Sequence, residues 1–377
     1  MRKVSKFLSL GLIVTMAVTM AAGCGSKGSA DSEDVFVIGG SGPLTGDAAS
    51  YGISVKNGAQ LAVDEINEAG GIDGMKFELN FLDDEAEAQP AIAAYEKLMD
   101  EGADAILGAV TSGSTIAITD LTKEDGILQI TPSGSAQDCT KYDNAFRICF
   151  TDPLQGITMA DYATATAGYN NIAILYNIAD DYSKGMAEAF MTEAKEKGGK
   201  IVAEETFTTG DVDFNTQLTN IKATDAEVLF IPAYYQDVAY ILTQAKQQGL
   251  ELPYLGGDGW DGVLGQLQDA SVAEGSIFLS PFTANDPAEN VQAFVEKYKA
   301  EFDATPDQFA ADAYDGVYVI KAAIEKAGST DSEDLIAAMT EIEVDGVTGN
   351  MTFTPEGEPN KAAKMIKILG GEYTLNK

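Results

Sequence analysis

Short apolar, β-branched runs alternate with helix-spaced segments along almost the whole chain after residue 35, and that alternation admits few folds. Residues 35–38 form a buried-strand run that ends in Gly39-Gly40. Val55, Ala59, Ala62, Val63 and Ile66 then recur at helical spacing until Gly70-Gly71 stops the helix. Strands are predicted at 76–82, 105–110 and 127–131, with helices at 90–100 and 114–124 between them. Strand–helix–strand units in series build a doubly wound parallel sheet with helices on both faces.

The pattern restarts after Phe150. Helices are predicted at 154–167, 183–197, 214–223 and 236–248, and strands at 172–176, 200–206, 228–231, 253–255 and 276–279. The chain has 377 residues, enough for two such units and too many for one ordinary core. The fold class is therefore α/β, with two doubly wound parallel-sheet lobes and a cleft between them. Helices at 288–302, 311–327 and 332–340 follow, with possible strands at 351–353 and 365–369. A tail this long is expected to return to the first lobe, so that several crossing segments form a hinge.

Composition removes whole classes of function. With 59 acidic and 24 basic residues the formal net charge is -35, which repels phosphate backbones and argues against nucleic-acid binding. The chain has no histidine, which removes Ser-His-Asp and Cys-His catalysis and most catalytic zinc sites. An enzyme is not expected, and neither a cofactor nor a metal is called for.

The first 23 residues resemble an export signal. Arg2, Lys3 and Lys6 precede an apolar stretch at 7–20, shorter than a membrane span, and small residues run up to Cys24. Ala21-Ala22-Gly23-Cys24 looks like a bacterial lipobox, with Cys24 as the lipidated N-terminus, although the usual leucine is missing at Ala21. Residues 24–34, rich in Gly and Ser, read as a flexible tether. Cys139 and Cys149 lie ten apart in a loop-then-strand region. In an exported protein two such cysteines commonly form a disulfide, and buried free thiols are the alternative.

Two glycine patterns imitate nucleotide loops. Gly257, Gly259 and Gly262 fit G-x-G-x-x-G, but Asp258 inside that loop repels phosphate. Gly40, Gly42 and Gly46 fit a looser form, and Asp83 and Asp84 lie too far on to serve a ribose. The cluster Asp83, Asp84, Glu85 and Glu87 lacks the spacing of a calcium loop and reads as a solvated strand end.

Loops at the carboxyl ends of strands carry more information, because open α/β sheets bind ligands there. Thr111-Ser112-Gly113-Ser114-Thr115 opens a helix, and Pro132-Ser133-Gly134-Ser135 follows the next strand. Hydroxyls, glycine and free helix N–H groups suit a carboxylate, and equally a plain N-cap. Asp258 ends a strand of the second unit, where its acid can face those hydroxyls across the cleft. Tyr51, Tyr182, Tyr234 and Tyr235 also follow strands.

At these residues the chain resembles the leucine/isoleucine/valine-binding proteins, the type I periplasmic-binding fold of bacterial ABC importers. The matching stretches are Ile38-Gly39-Gly40-Ser41-Gly42-Pro43-Leu44-Thr45-Gly46 with Tyr51-Gly52, Ala69-Gly70-Gly71-Ile72, Asp125-Gly126-Ile127-Leu128-Gln129-Ile130-Thr131-Pro132, Asp181-Tyr182-Ser183-Lys184-Gly185 and Gly256-Gly257-Asp258-Gly259. The resemblance implies an N-terminal lobe of 35–152 and 283–361 and a C-terminal lobe of 153–282 and 362–377. It implies that Ser112 and Ser135 hold a ligand carboxylate, while the Ser133 carbonyl and the Asp258 acid hold an ammonium. Tyr51, Tyr182, Tyr234 and Phe309 would surround the side chain or close the cleft.

The best-known members carry glutamate at the position of Asp258 and threonine at that of Ser135. Branched-chain amino acids are thus the expected ligands, with small amides or aromatic acids as alternatives. The expected partner is an ABC permease of the cytoplasmic membrane, served by a monomer anchored outside that membrane or free in the periplasm. A sensor input is the rival reading.

Overall fold

The computed structural model describes residues 34–376, and the expectations for the export signal, Cys24 and most of the tether lie outside them. Five parallel strands form the first sheet: β1 (Val35–Gly42), β2 (Lys76–Asp83), β3 (Ala105–Leu107), β4 (Gln129–Thr131) and β5 (Ala145–Arg147). They lie in the order β2-β1-β3-β4-β5. Helices α1 (Ala49–Glu68), α2 (Ala88–Asp100) and α3 (Ser112–Asp125) make its crossovers. The strand order reverses beside β1, and the crevice there opens at the carboxyl ends of β1 and β3.

The second sheet repeats the arrangement. Helix α4 (Asp152–Asp161) leads to β6 (Asn171–Asn177), α5 (Asp181–Glu196), β7 (Lys200–Phe207), α6 (Asn215–Lys222), β8 (Val228–Ile231), α7 (Tyr235–Gln247) and β9 (Tyr254–Gly256). A short α8 (Val263–Gln266) and β10 (Ile277–Ser280) complete it. Strands β7-β6-β8-β9-β10 are parallel and copy the order of the first sheet. The helix expected at 154–167 is broken by a π-helical turn at Tyr162–Thr166.

Helices α9 (Glu289–Phe302), α10 (Gln308–Ala327) and α11 (Ser332–Ala338) follow, with a hairpin of β11 (Val344–Gly346) and β12 (Gly349–Met351). Of the strand expected at 351–353 only Met351 lies in this hairpin, and Phe353 makes an isolated bridge to Pro359. Strand β13 (Lys364–Leu369) then joins β10 antiparallel and β14 (Glu372–Leu375) pairs antiparallel with β13, so the second sheet is mixed rather than purely parallel. The physical reason is direction: the tail enters that sheet from the side of the first one instead of through a crossover helix.

The α1 stripe read from the sequence is the face that packs on α10. Val55, Ala59 and Ala62 are fully buried, and burying a valine contributes about 1.5–3 kcal/mol. Gly58 permits the contact, since a Cβ there would sit 2.0 Å from the Ala310 carbonyl oxygen. Three segments link the two layers, between Arg147 and Asp152, between Ser280 and Glu289, and between Met351 and Lys364. Lys361 pins the last of them: its buried ammonium donates to Asp312 of α10 at 2.8 Å and to Thr348 at 2.6 Å.

Candidate functional site

The carboxyl ends of β3 and β4 face those of β8 and β9 across a narrow cavity of about 10 Å³, little more than room for one water. On the first side, Thr111, Ser112 and Ser133 line it; on the other, Asp258, Tyr182, Tyr234 and Gly259 do; Tyr51 and Phe309 flank it. Seven of the eight ligand residues named from the sequence therefore border one space. Ser135 is the exception. It is buried just off the lining; its hydroxyl has no partner, its N–H donates to Ser112 and its carbonyl accepts from the Asp152 N–H.

The first wall is built of donors. Helix α3 starts at Ser112, its Thr111 cap makes no side-chain bond, and its leading N–H groups have no partners within the helix. The Ser112 hydroxyl oxygen accepts from the Ser135 N–H at 3.2 Å and from the Ala136 N–H at 3.1 Å. With both lone pairs occupied, its proton is free only to donate outward. Ser133 donates to the Val110 carbonyl at 2.7 Å, which fixes the loop. Gly134 lies so close to α3 that a Cβ would meet the Thr131 and Thr115 hydroxyl oxygens at 2.7 and 2.8 Å.

The second wall carries the acid. Asp258 is 4% exposed; its Oδ1 accepts from Gln155 Nε2 at 3.0 Å, and its N–H donates to Gln155 Oε1 at 2.8 Å. Burial pushes its carboxyl up to about 6, against the bonds from Gln155 and Tyr182 that favour the charge. Tyr182 stacks on Tyr234 at 4.9 Å, and its hydroxyl accepts the Gly259 N–H at 2.9 Å.

Contacts between the walls hold the cavity closed. The Tyr51 hydroxyl donates to the Gly259 carbonyl at 2.5 Å and accepts the Tyr235 N–H at 3.1 Å. Its ring lies 4.2 Å from that of Phe309. The Gln308 side chain donates to the Asp258 carbonyl at 2.7 Å, and its N–H to Asp261 Oδ2 at 3.2 Å.

The nucleotide-like glycines have mechanical reasons to be there. A Cβ at Gly257 would meet Met186 at 2.4 Å, and Gly262 turns with φ +103°. Two expectations need correction. Cys139 and Cys149 are free and buried, not a disulfide. The Cys139 sulfur lies 3.7 Å from the Ser112 carbonyl, packed beneath α3, and Cys149 is buried beyond the end of β5. The acidic strand end is not simply solvated either: Asp84 is fully buried and caps its own turn through the Ala86 N–H at 3.0 Å.

Sequence reasoning passed over Gln155, Gln308, Arg147 and Asp152. The first two set the acid wall, and Arg147 holds the donor loop from behind. Asp152 is 1% exposed with no partner on either carboxylate oxygen, and burial holds its carboxyl well above the usual range. Lone residues beyond strand ends carry no pattern. The one available signal was Arg147, a charge inside the apolar run Ala145-Phe146-Arg147-Ile148.

The family described as periplasmic binding protein matches residues 36–372. The chain is 31% identical over 357 residues to Leu/Ile/Val-binding protein homolog 3 of Brucella melitensis, covering 93% of this chain and 95% of that one. It is 30% identical to the leucine-, isoleucine-, valine-, threonine- and alanine-binding protein of Pseudomonas aeruginosa over 86% of this chain and 87% of the other. Among solved structures it is similar to the branched-chain amino acid transporter substrate binding protein LivJ of Streptococcus pneumoniae in complex with isoleucine. The TM-score is 0.85 at 32% identity, covering 91% of this chain and all of that one. With the family matched over nearly the whole described chain, on a fold of paired α/β sheets, this protein belongs to the periplasmic binding proteins.

Proposed function

We propose that this chain is the substrate-binding subunit of an ABC importer and captures an α-amino acid, with leucine, isoleucine and valine as its first ligands. The reading rests on one arrangement: the donors at Ser112 and the start of α3 oppose the acid of Asp258 across one closed cavity. A zwitterion fits that polarity, carboxylate to the first wall and ammonium to the second. The isoleucine held by the similar S. pneumoniae protein supports the choice of side chain.

Capture precedes closure. The open protein takes the ligand on one wall, and rotation about the three linking segments brings the other onto it. Charge-assisted hydrogen bonds contribute about 1.5–3 kcal/mol each. Four or five of them, less ordering costs, support micromolar binding or tighter, about -8 kcal/mol. The closed form then docks on a permease. Ser112, the Ser133 carbonyl and Asp258 hold the amino-acid head group in this reading, and Tyr51, Tyr182, Tyr234 and Phe309 enclose the side chain. Cys24 is proposed as the lipidated anchor, which keeps the protein on the outer face of the membrane.

A thermal-shift screen of the purified protein against the standard amino acids, small amides and aromatic acids tests the reading. Stabilisation is expected first with leucine, isoleucine and valine. A shift with benzoate or an amide and none with any amino acid would overturn it.

A further inference from the structure

A carboxylate entering this cavity meets an unfavourable field. The chain carries a net charge of -35, Asp258 and Asp152 are buried nearby, and no lysine or arginine among the described residues lines the space. The α3 N-terminus supplies only about half a positive charge. A whole one lies a layer behind. Arg147, the last residue of β5, is fully buried beneath the loop that carries Ser133 and Ser135.

Its donors are almost all committed to that loop. Nη1 donates to the Gly134 carbonyl at 2.8 Å and the Ala136 carbonyl at 3.0 Å. Nη2 donates to the Gln137 carbonyl at 3.3 Å and the Thr140 hydroxyl at 2.9 Å. Only Nε faces outward, to Glu358 on the segment returning to the second sheet, at 3.0 Å. The peptide whose carbonyl Arg147 grips at Gly134 is the one that carries the Ser135 N–H, and that N–H donates to Ser112. A cation on the carbonyl end of a peptide draws electron density from its N–H end and strengthens each later donor in the chain.

We propose that Arg147 is the positioning residue of the carboxylate subsite. It locks residues 134–137 so that the Ser135 and Ala136 N–H groups converge on the Ser112 oxygen, and its charge, carried along that peptide, makes the Ser112 hydroxyl a stronger donor to the ligand carboxylate. The proposal rests on the amino-acid reading above. Glu358 balances the same charge from the solvent side and so moderates it.

The test is calorimetric titration with leucine and with leucinamide, which lacks the carboxylate charge, on wild type, Arg147→Lys, Arg147→Met and Glu358→Gln. Arg147→Met is expected to weaken leucine about 10- to 100-fold and leucinamide less than about 3-fold. Arg147→Lys keeps the charge and is expected to recover most of the leucine affinity. Equal loss for both ligands would reduce Arg147 to a structural tie and overturn the proposal, as would an unchanged leucine affinity in Arg147→Met. If Arg147→Met does not fold, Glu358→Gln decides: tighter leucine binding supports the proposal, and unchanged or weaker binding overturns it. A wild-type protein indifferent to every amino acid removes the underlying reading and the proposal with it, whereas leucine binding with an unaltered leucine-to-leucinamide ratio removes the proposal alone.

Discussion

The side chain of Gln308 donates to the backbone carbonyl of Asp258 at 2.7 Å, so the first residue of α10 grips, from across the cleft, the residue whose acid faces the cavity. Both partners are buried, at 1% and 4% exposure. The bond exists only when the walls are together, which makes it part of the closed state rather than of either wall.

Gln308→Ala therefore acts on closure. Loss of one buried hydrogen bond costs about 1–3 kcal/mol. Amino-acid affinity is expected to fall roughly 5- to 100-fold, most of it as faster dissociation, seen by stopped-flow fluorescence of Trp260, which is buried three residues or fewer from both Asp258 and Asp261.

Asp258→Asn removes the charge expected to hold the ammonium while keeping the shape. Amino-acid binding is expected to be lost. The unliganded fold is expected to become more stable at neutral pH: burial raises this carboxyl from about 3.8 to about 6, so the folded chain loses stability as pH rises between those values and no more above them. Melting temperatures at pH 4 and 8 check the sign. The variant gains a few degrees at pH 8 (roughly 2–4 °C for each kcal/mol in domains of 150–250 residues), about half of that at pH 5 and little at pH 4.

A second acid pair sets the alkaline side. Asp261 reaches across the cleft to the α10 N-terminus, where Asp307 already caps the helix through the Ala310 N–H at 2.9 Å and takes the Ser54 hydroxyl at 2.6 Å. Burial first, and the charge of Asp307 next, push Asp261 up to about 8. Closure brings these like charges together and takes up a proton. Affinity is expected to fall as pH rises towards 8, by up to about tenfold per unit, and to level off beyond. Below about 6, protonation of Asp258 weakens binding in its turn. Calorimetry from pH 5 to 9 checks both limbs, and Asp261→Asn is expected to flatten the alkaline one.

The two cysteines yield a simple chemical prediction. Burial pushes the Cys139 thiol up to about 12 and holds that of Cys149 well above the usual thiol range too. In the native protein both are expected to resist thiol reagents at pH 8, and both to react at once in denaturant without a reductant. A denatured protein that needs reductant before it reacts would contradict the free pair.

Much of this was legible before any coordinates. The Val55–Ile66 stripe, the strand runs and the glycine stops marked out two α/β units in tandem, because period and punctuation are local properties; the strand order itself was not legible. Ser112, Ser133 and Asp258 were legible because they end strands, where a doubly wound sheet opens. Ser135 lies just off the lining: its N–H serves Ser112 and its buried hydroxyl has no partner, an arrangement set by the fold of the loop that no local pattern encodes. Arg147, Gln155 and Gln308 act through contacts 7 to 211 residues apart in sequence, and no local pattern encodes them. The strand at 365–369 was legible, but its antiparallel direction and β14 were not, since a strand's direction depends on where the chain has come from.

The most direct measurement is a crystal structure of the protein grown with leucine. The ammonium nitrogen is predicted within about 3.2 Å of an Asp258 carboxylate oxygen, with a leucine carboxylate oxygen equally near the Ser112 hydroxyl. Leucine bound the other way round, or an ammonium held away from Asp258, would contradict the account.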